Sequence, residues 1–288
     1  MEFQILMSGK MKYSLYILLG LLGLSSCTKI IDIELNSALQ RLVIEARITD
    51  QDIPATVYLS RTMDYFNPDE PEKVSGAKVS LSTDSGEMEI LEETSEGVYQ
   101  AAQIKGINGV KYFLNVEDGE QVYEASSILP NKVLIDSLEY EPSFIFNPRD
   151  TAVGYLLGCW FTDPAEQANY YSLNVIKTPI DTVRQEYGPP GSANSKFLVN
   201  DVNFNGIHSS VNLNRQGLFH PGDTVFVELI SINQNTYIYL DQLNEISGGG
   251  MMFSSSAPAN PENNFSNGAM GFFTAEAIDK QMVIIEER

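Results

Sequence analysis

Residues Arg41 to Asp50 (RLVIEARITD) alternate apolar and polar side chains with the period of a half-buried β-strand. Leu42, Ile44, Ala46 and Ile48 fall on one face, and the residues between them fall on the other, because successive side chains of a strand point to opposite sides. No helical period is visible in the neighbouring sequence. The segment therefore predicts that the N-terminal half of the chain is built from β-strands.

Short apolar runs of the same kind continue to Ser127. The further predicted strands are Pro54–Ser60, Ala77–Thr83, Glu87–Leu91, Gly97–Ala102, Val110–Glu117 and Gln121–Ser127. Turn sequences such as Asn108-Gly109 and Asp118-Gly119 separate them, because Gly and Asn tolerate a positive φ. Many short strands at such close spacing predict a β-sandwich rather than an α/β fold.

The second half of the chain has longer and more aromatic predicted strands and one helix. The strands are Leu134–Glu141, Val153–Thr162, Ala168–Lys177, Ser195–Val202, His208–Leu213, Thr224–Ile232 and a closing hairpin of Gly271–Ala277 with Gln281–Glu286. An apolar face of Tyr239, Leu240, Leu243 and Ile246 predicts a helix over residues 235–246. The fold class predicted for the whole chain is therefore all-β with one helix.

The length of the chain favours two β-domains, at about 150 residues for each domain. A β-sandwich is predicted over residues 38–131, and a larger β-sandwich or barrel-like domain over residues 132–288. A loop over residues 248–267 follows the predicted helix of the second domain.

The composition excludes several classes of function. The 288 residues include 38 acidic and 18 basic side chains, a formal net charge of −20. Nucleic acid is excluded as the main partner, because phosphate binding requires a basic face. Two cysteines cannot form a disulfide framework, and two histidines leave little room for His-based catalysis or a His-rich metal site. No cofactor is expected, and Cys159 is predicted to be a small buried hydrophobe.

The N-terminus predicts a lipoprotein signal peptide over residues 1–26. A short basic segment precedes the apolar run Tyr13–Leu24, which is too short to span a membrane. The sequence Leu24-Ser-Ser-Cys27 resembles the lipobox of bacterial lipoproteins, so Cys27 is the predicted lipid attachment site and residues 27–37 are a lipidated tether. The alternative is a simple secretory signal that happens to end at a cysteine.

Motifs along the chain after the signal peptide are similar to those of one family. They are Cys27–Asn36, Leu42–Asp50, Val74–Leu81, Gly97–Tyr99, Ile135–Leu138, Asp201 with Phe204–Gly206, Pro221–Asp223, Val227–Leu229, Tyr237–Leu243 and Asn267–Phe272. In their order and spacing they resemble the Bacteroidetes outer-membrane lipoproteins catalogued as domain of unknown function 4249. The resemblance implies an outer-membrane, surface-exposed lipoprotein with an N-terminal Ig/prealbumin-like sandwich and a larger C-terminal β-domain. It also implies an accessory role in nutrient uptake beside a TonB-dependent outer-membrane transporter, and it transfers no catalytic residues.

Two loops carry side chains suited to a partner or ligand. The candidate contacts are Tyr65, Phe66, Met251, Met252 and Phe253. The first two lie in the acidic loop Asp64–Glu72, which could also clamp Ca²⁺ or simply be solvated. The other three follow Gly248–Gly250, and a glycine hinge before adaptable apolar residues is typical of a partner-binding loop. Their alternative role is to pack into the second domain.

Asp201-Val-Asn-Phe-Asn-Gly206 matches the opening of a calcium-binding loop. Asp201, Asn203 and Asn205 are therefore weak candidates for calcium ligands. Asn212 stands where such a loop requires a bidentate glutamate. A hairpin turn with polar corners is the favoured interpretation.

No catalytic constellation stands out in the sequence. His220, Asp223 and one of many serines could form a triad on paper, but no G-x-S-x-G nucleophile elbow accompanies them. The leading hypothesis is a non-enzymatic, lipid-anchored surface protein that docks on a TonB-dependent transporter and helps to capture or admit its substrate. The alternatives are a free-standing binding module for a glycan, peptide or metal chelate, and a hydrolase.

Overall fold

Strands dominate the computed structural model, which describes residues 40–63, 70–147, 150–178, 194–214, 217–246 and 260–287. In chain order the elements are β1 (Leu42–Thr49), β2 (Thr56–Arg61), β3 (Lys78–Thr83), β4 (Met88–Ile90), β5 (Glu92–Ser95), β6 (Val98–Gln100), β7 (Lys111–Asp118), β8 (Gln121–Ile128), β9 (Ile135–Asn147), β10 (Asp150–Thr162), β11 (Tyr170–Thr178), β12 (Asn194–Asn200), β13 (His208–Asn212), β14 (Thr224–Ile232), α1 (Gln234–Asn244) and β15 (Met270–Ile284). The predicted all-β class with one helix is therefore confirmed within the described residues.

The strands form three sheets, and the largest is shared between two cores. Its eight strands run in the order β12-β11-β14-β15-β1-β2-β6-β5. A four-stranded sheet, β4-β3-β7-β8, packs on its β1 side, where Ile44 and Leu59 of the large sheet meet Leu81 and Leu114 in one buried cluster. Each of these side chains is almost completely removed from water, so this packing supplies the hydrophobic stabilisation of the first sandwich.

The second core lies between the other end of the large sheet and a three-stranded sheet, β13-β10-β9. Leu157 and Phe161 of β10 pack with Leu173 of β11 and Val227 of β14, and all four are fully buried. The boundary predicted between residues 131 and 132 falls on the segment that joins β8 to β9, and it stays a prediction.

Strand β15 takes part in both halves of the large sheet. Residues 270–276 pair in parallel with β1, and residues 277–284 pair antiparallel with β14. The closing hairpin predicted for this segment is wrong, because the residues between its two arms continue the strand. There, Lys280 Nζ lies 2.8 Å from Glu228 Oε1, and Asp279 Oδ2 accepts a hydrogen bond of 2.8 Å from the backbone N–H of Ile135. These polar residues look like a turn in the sequence, but in the strand their side chains find partners on neighbouring strands.

Helix α1 follows β14 directly and begins at a side-chain cap. Asn233 Oδ1 accepts a hydrogen bond of 2.9 Å from the backbone N–H of Thr236, which satisfies one of the free donors of the first turn. Leu240, on the predicted apolar face, packs against Ile230, Ile232 and Ile278 of the sheet, whereas Leu243 and Ile246 of the same face are exposed. No helix in the described part of the chain is long and apolar enough to cross a membrane.

Candidate functional site

The side chains predicted to mediate attachment and partner contacts lie outside the described residues. They are Cys27, Tyr65, Phe66, Met251, Met252 and Phe253. Their roles therefore stay predictions. Two other surface features in the described residues have the character of binding sites: the β9–β10 hairpin and the outer face of the β13-β10-β9 sheet.

The calcium-like segment forms a turn, but it is not the turn of a hairpin. β12 pairs with β11 and β13 pairs with β10, so residues 201–206 connect two different sheets and that part of the prediction is wrong. Asp201 is buried, and its Oδ2 accepts a hydrogen bond of 2.7 Å from the backbone N–H of Asn169. Asn203 and Asn205 are exposed. The Asp201 carboxylate holds this turn beside β11, and the calcium site stays a prediction.

The second polar motif, His220 to Asp223, is also a turn. Asp223 is buried, and its Oδ2 accepts a hydrogen bond of 2.8 Å from the backbone N–H of His220. Lys177 Nζ lies 2.8 Å from the same oxygen, whereas His220 Nδ1 lies 4.0 Å away from it. The carboxylate therefore neutralises a lysine of β11 and fixes the turn before β14.

Cys159 is a buried free thiol on β10. Burial, with smaller contributions from the carboxylates of Asp279 and Asp136, raises its pKa to about 12. The thiol is protonated at neutral pH and is not a nucleophile, because nucleophilic attack requires the thiolate. Its predicted role as a small buried hydrophobe is confirmed. Across the described ranges, no group of three or more His, Cys, Asp or Glu side chains is arranged to hold a metal ion.

The β9–β10 hairpin is longer than the sheet to which it belongs. Its strands have 13 residues each, a length of about 40 Å at ~3.3 Å per residue. β13 pairs only with Gly158–Thr162, and Phe219 forms an isolated bridge to Tyr155. Beyond that bridge the two strands pair only with each other in the described residues. The hairpin therefore ends in a two-stranded arm, and on this arm the Phe144 side chain is 69% exposed.

The outer face of the β13-β10-β9 sheet carries an open trough of about 290 Å³ beside Trp160. The odd-numbered side chains from Tyr155 to Phe161 are buried in the core. Because strand side chains alternate between faces, Leu156, Gly158 and Trp160 lie on the opposite, outer face. The volume lies just below the usual range for small-molecule pockets, which begins at about 300 Å³.

Polar side chains border the trough on both neighbouring strands. Directly paired residues share a face of the sheet, which places Glu139 and Asn212 beside Gly158, Ser137 and Ser210 beside Trp160, and Glu141 beside Leu156. Ser137 Oγ donates a hydrogen bond of 3.0 Å to Glu139 Oε1. Asn212 Oδ1 accepts from the backbone N–H of Asn214, which leaves its NH₂ group as the donor. The trough therefore offers hydrogen-bond donors and acceptors around an apolar ring.

The orientation of Trp160 is supported from one side. The His208 ring packs against the indole with 5.3 Å between the ring centroids and an angle of 35° between the planes. His208 Nε2 lies 3.3 Å from Asp136 Oδ2, which also accepts a hydrogen bond of 2.9 Å from Thr162 Oγ1. A ring held by such contacts loses little side-chain entropy when it binds a ligand.

The sequence interpretation did not select Trp160 as a functional residue. From this segment the sequence predicted only a strand over residues 153–162 and a buried Cys159. A signal was nevertheless present, since Trp160 is the only tryptophan in the chain and Gly158 interrupts the interior of a strand. Only the register of β10 with its two neighbours shows that these residues share a face with polar side chains.

Comparison with known proteins places the chain in a family. The family model described as a domain of unknown function (DUF4249) matches residues 28–282, nearly the whole chain. No curated protein matches the chain significantly. The match confirms the family resemblance that the sequence motifs indicated. The chain therefore belongs to the family described as domain of unknown function 4249.

Proposed function

We propose that this protein is a lipid-anchored protein of the outer membrane, exposed at the cell surface, that docks on a TonB-dependent transporter. In this role it helps to capture or admit the substrate of the transporter and has no enzymatic activity of its own. The class of partner comes from the family resemblance. The structural observation that carries the proposal is the β9–β10 arm, because it extends beyond its own sheet and exposes an aromatic side chain.

The physical properties of the arm are those of a docking element. Phe144 is the most exposed aromatic side chain among the described residues, and isolated two-stranded hairpins are only marginally stable in water. A partner that covers the arm would remove this apolar surface from water and satisfy the open edge of β9. Aromatic side chains are also the residues that most often dominate binding energy at protein interfaces.

Two sequence features support the lipid anchor. The lipobox-like Leu24-Ser-Ser-Cys27 ends a short apolar segment, and the family match begins at residue 28, directly after the predicted attachment site. An acylated N-terminus with more than one chain binds a membrane stably, whereas a single chain does so only marginally. The protein would thus be held at the membrane by its lipid, although its net charge of −20 repels anionic surfaces.

The docking proposal predicts that the full chain, affinity-tagged and extracted with mild detergent, co-purifies with a large outer-membrane β-barrel transporter. Phe144→Ser should reduce the amount of co-purified transporter several-fold, because it removes an apolar contact and barely changes the free monomer. Mass spectrometry of the purified material, normalised to the tagged protein, measures the effect.

The matched control is Val202→Ser, since Val202 is 78% exposed and lies on the turn between β12 and β13, away from the arm. This variant should retain the transporter. Isolation of the wild-type protein as a lone monomer would contradict docking and favour the free-standing binding module. An equal loss of transporter in both variants would show that the arm is not the docking element.

The anchor has a separate test. Cys27→Ala should leave the precursor uncleaved or release the protein into the periplasm, because the acylated thiol is lost. Membrane fractionation with immunodetection measures the distribution. The other cysteine supplies the control: Cys159→Ala removes a buried thiol and should leave the protein in the membrane fraction. Unchanged fractionation of Cys27→Ala would contradict lipid anchoring, and protease treatment of intact cells tests surface exposure.

A further inference from the structure

Gly158 occupies the interior of β10 without a packing reason. A Cβ atom at this position would meet its nearest neighbour, Trp160 Nε1, at 3.6 Å, which is an ordinary contact distance. At Gly154 of the same strand, by contrast, a Cβ atom would lie 2.5 Å from the carbonyl oxygen of Phe219. Packing therefore requires glycine at 154 but not at 158. A glycine that weakens a strand without such a need often marks a place where a ligand approaches the backbone closely.

Trp160 supplies a large flat surface beside this opening. The face of an indole ring carries partial negative charge, so it attracts the weakly positive C–H groups on the flat side of a sugar ring. The indole N–H also remains available as a hydrogen-bond donor to a ligand, because no described residue accepts a hydrogen bond from Trp160 Nε1. Together with Gly158, the indole forms a shallow surface in the trough rather than a deep cavity. Such a surface suits one sugar ring of a longer glycan chain.

The polar groups around the trough determine which chemical class of ligand ring can bind there. Glu139 and Glu141 accept hydrogen bonds, the Asn212 NH₂ group donates them, and Ser210 can do either. Sugar hydroxyls also donate and accept, so they match this mixed set, whereas an ammonium or guanidinium group would use the acceptors alone. No described Lys or Arg forms an ion pair with Glu139 or Glu141, so an acidic sugar would be repelled by both carboxylates.

We propose that the trough formed by Trp160, Gly158, Glu139, Glu141, Ser210 and Asn212 binds a neutral hexopyranose residue of a glycan. The ring stacks on the indole above Gly158, and the flanking side chains bond its hydroxyls. This inference goes beyond docking on a transporter and does not depend on it, because all the groups belong to this chain. The trough lies on the outer face of the β13-β10-β9 sheet and does not include Phe144 of the arm.

Intrinsic fluorescence tests the proposal directly, because Trp160 is the only tryptophan. The full chain is purified in a detergent without a sugar headgroup and titrated with neutral β- and α-linked disaccharides of glucose, galactose and mannose. Parallel titrations use glucuronic acid, galacturonic acid and an arginine-containing tripeptide. At least one neutral saccharide should change the emission saturably, and the acidic sugars and the tripeptide should not.

Variants assign the binding to the trough, with calorimetry as the readout that does not need the indole. Gly158→Ala adds a methyl group at the bottom of the trough without a steric clash. This variant should weaken binding roughly tenfold, which corresponds to about 1.4 kcal/mol. Trp160→Ala should abolish detectable binding, and Glu139→Gln should weaken it while folding is preserved. The control is Tyr58→Ala, which removes an aromatic side chain that is 52% exposed on β2.

Each result decides the proposal. Binding of a neutral saccharide that is weakened by Gly158→Ala and unchanged by Tyr58→Ala supports it. Saturable binding of the arginine peptide or of an acidic sugar in place of neutral sugars overturns it, as does the absence of any response across the saccharides. Because the isolated protein is used, failure to find a transporter partner leaves this test unaffected.

Discussion

Replacement of Gly271 by alanine is expected to lower the free energy of unfolding by at least about 4 kcal/mol, enough to unfold much of the protein. Gly271 has a φ of 94°, in the left-handed region that disfavours side chains. An added Cβ atom would lie 2.1 Å from the carbonyl oxygen of Ile44 and 2.8 Å from its carbonyl carbon. Both atoms are backbone, so β1 and β15 would have to separate where they pair.

The consequence extends to the first core because β15 is central in the large sheet. Phe273, Ala275 and Ala277 of this strand are buried in the same cluster as Ile44. Urea denaturation followed by circular dichroism measures the change, with the midpoint shifting at constant slope if the transition remains two-state.

Gly86→Ala is the matched control for this experiment. Gly86 has a φ of 93°, almost the same as that of Gly271, but a Cβ atom at Gly86 would meet nothing within 4 Å. Only the backbone strain applies there, at about 1–2 kcal/mol. Equal losses of stability in the two variants would show that the close approach of β15 to β1 does not control the fold.

Replacement of Asp50 by alanine is expected to lower the free energy of unfolding by about 2–4 kcal/mol. Asp50 follows β1, and its Oδ1 accepts hydrogen bonds of 2.9 Å from the backbone N–H of Ile278 and from Gln51 Nε2. Its Oδ2 lies 2.8 Å from Lys132 Nζ, and only 7% of the Asp50 side chain is exposed. One carboxylate thus ties together β15 and the segment between β8 and β9, and its removal leaves a partly buried ammonium without this counter-charge.

Asp52 provides the control two residues further along the chain. It also forms an ion pair, with Lys105, but 89% of its side chain is exposed. Exposed ion pairs contribute little because water screens them and both side chains lose freedom, so Asp52→Ala should leave the denaturation midpoint unchanged. A loss of stability in Asp52→Ala equal to that of Asp50→Ala would show that burial is not the reason for the effect.

Asp50→Asn separates the charge of this group from its hydrogen bonds. Burial raises the pKa of Asp50, but the bonds and charge of Lys132 and the hydrogen bonds from Gln51 and Ile278 outweigh it and hold the pKa below its ordinary value of 3.8. A lowered pKa in the folded state stabilises the protein above the unfolded-state pKa, and this contribution is lost as the pH falls through the folded-state pKa. The stability difference between wild type and Asp50→Asn should therefore shrink below about pH 4. A difference that stays constant at lower pH would contradict this assignment.

Local patterns in the sequence predict much of the fold. The alternation in residues 41–50 corresponds to β1, and its apolar positions Leu42, Ile44, Ala46 and Ile48 are all buried. The predicted helix corresponds to α1, with Asn233 as its cap. These predictions succeed because side-chain alternation in a strand and the apolar face of a helix are properties of a few adjacent residues. The same patterns, together with motif order, identify the family.

The candidate trough is different, because its residues are distant in the chain. Glu139, Gly158 and Asn212 come from β9, β10 and β13, and only their cross-strand register places them side by side. The sequence shows a lone tryptophan next to a strand glycine, but it cannot show which face they share or what borders them.

The amino-acid sequence alone establishes the all-β class, helix α1 and the turns at glycine-containing sites, since these follow from the chemistry of neighbouring residues. The tertiary structure alone establishes that residues 270–284 are one strand and that Gly271, but not Gly86, is held against another backbone. It also establishes the trough around Trp160. The physical reason is that sheet pairing joins backbone groups far apart in the chain, and neither its register nor its close contacts are encoded in any single segment.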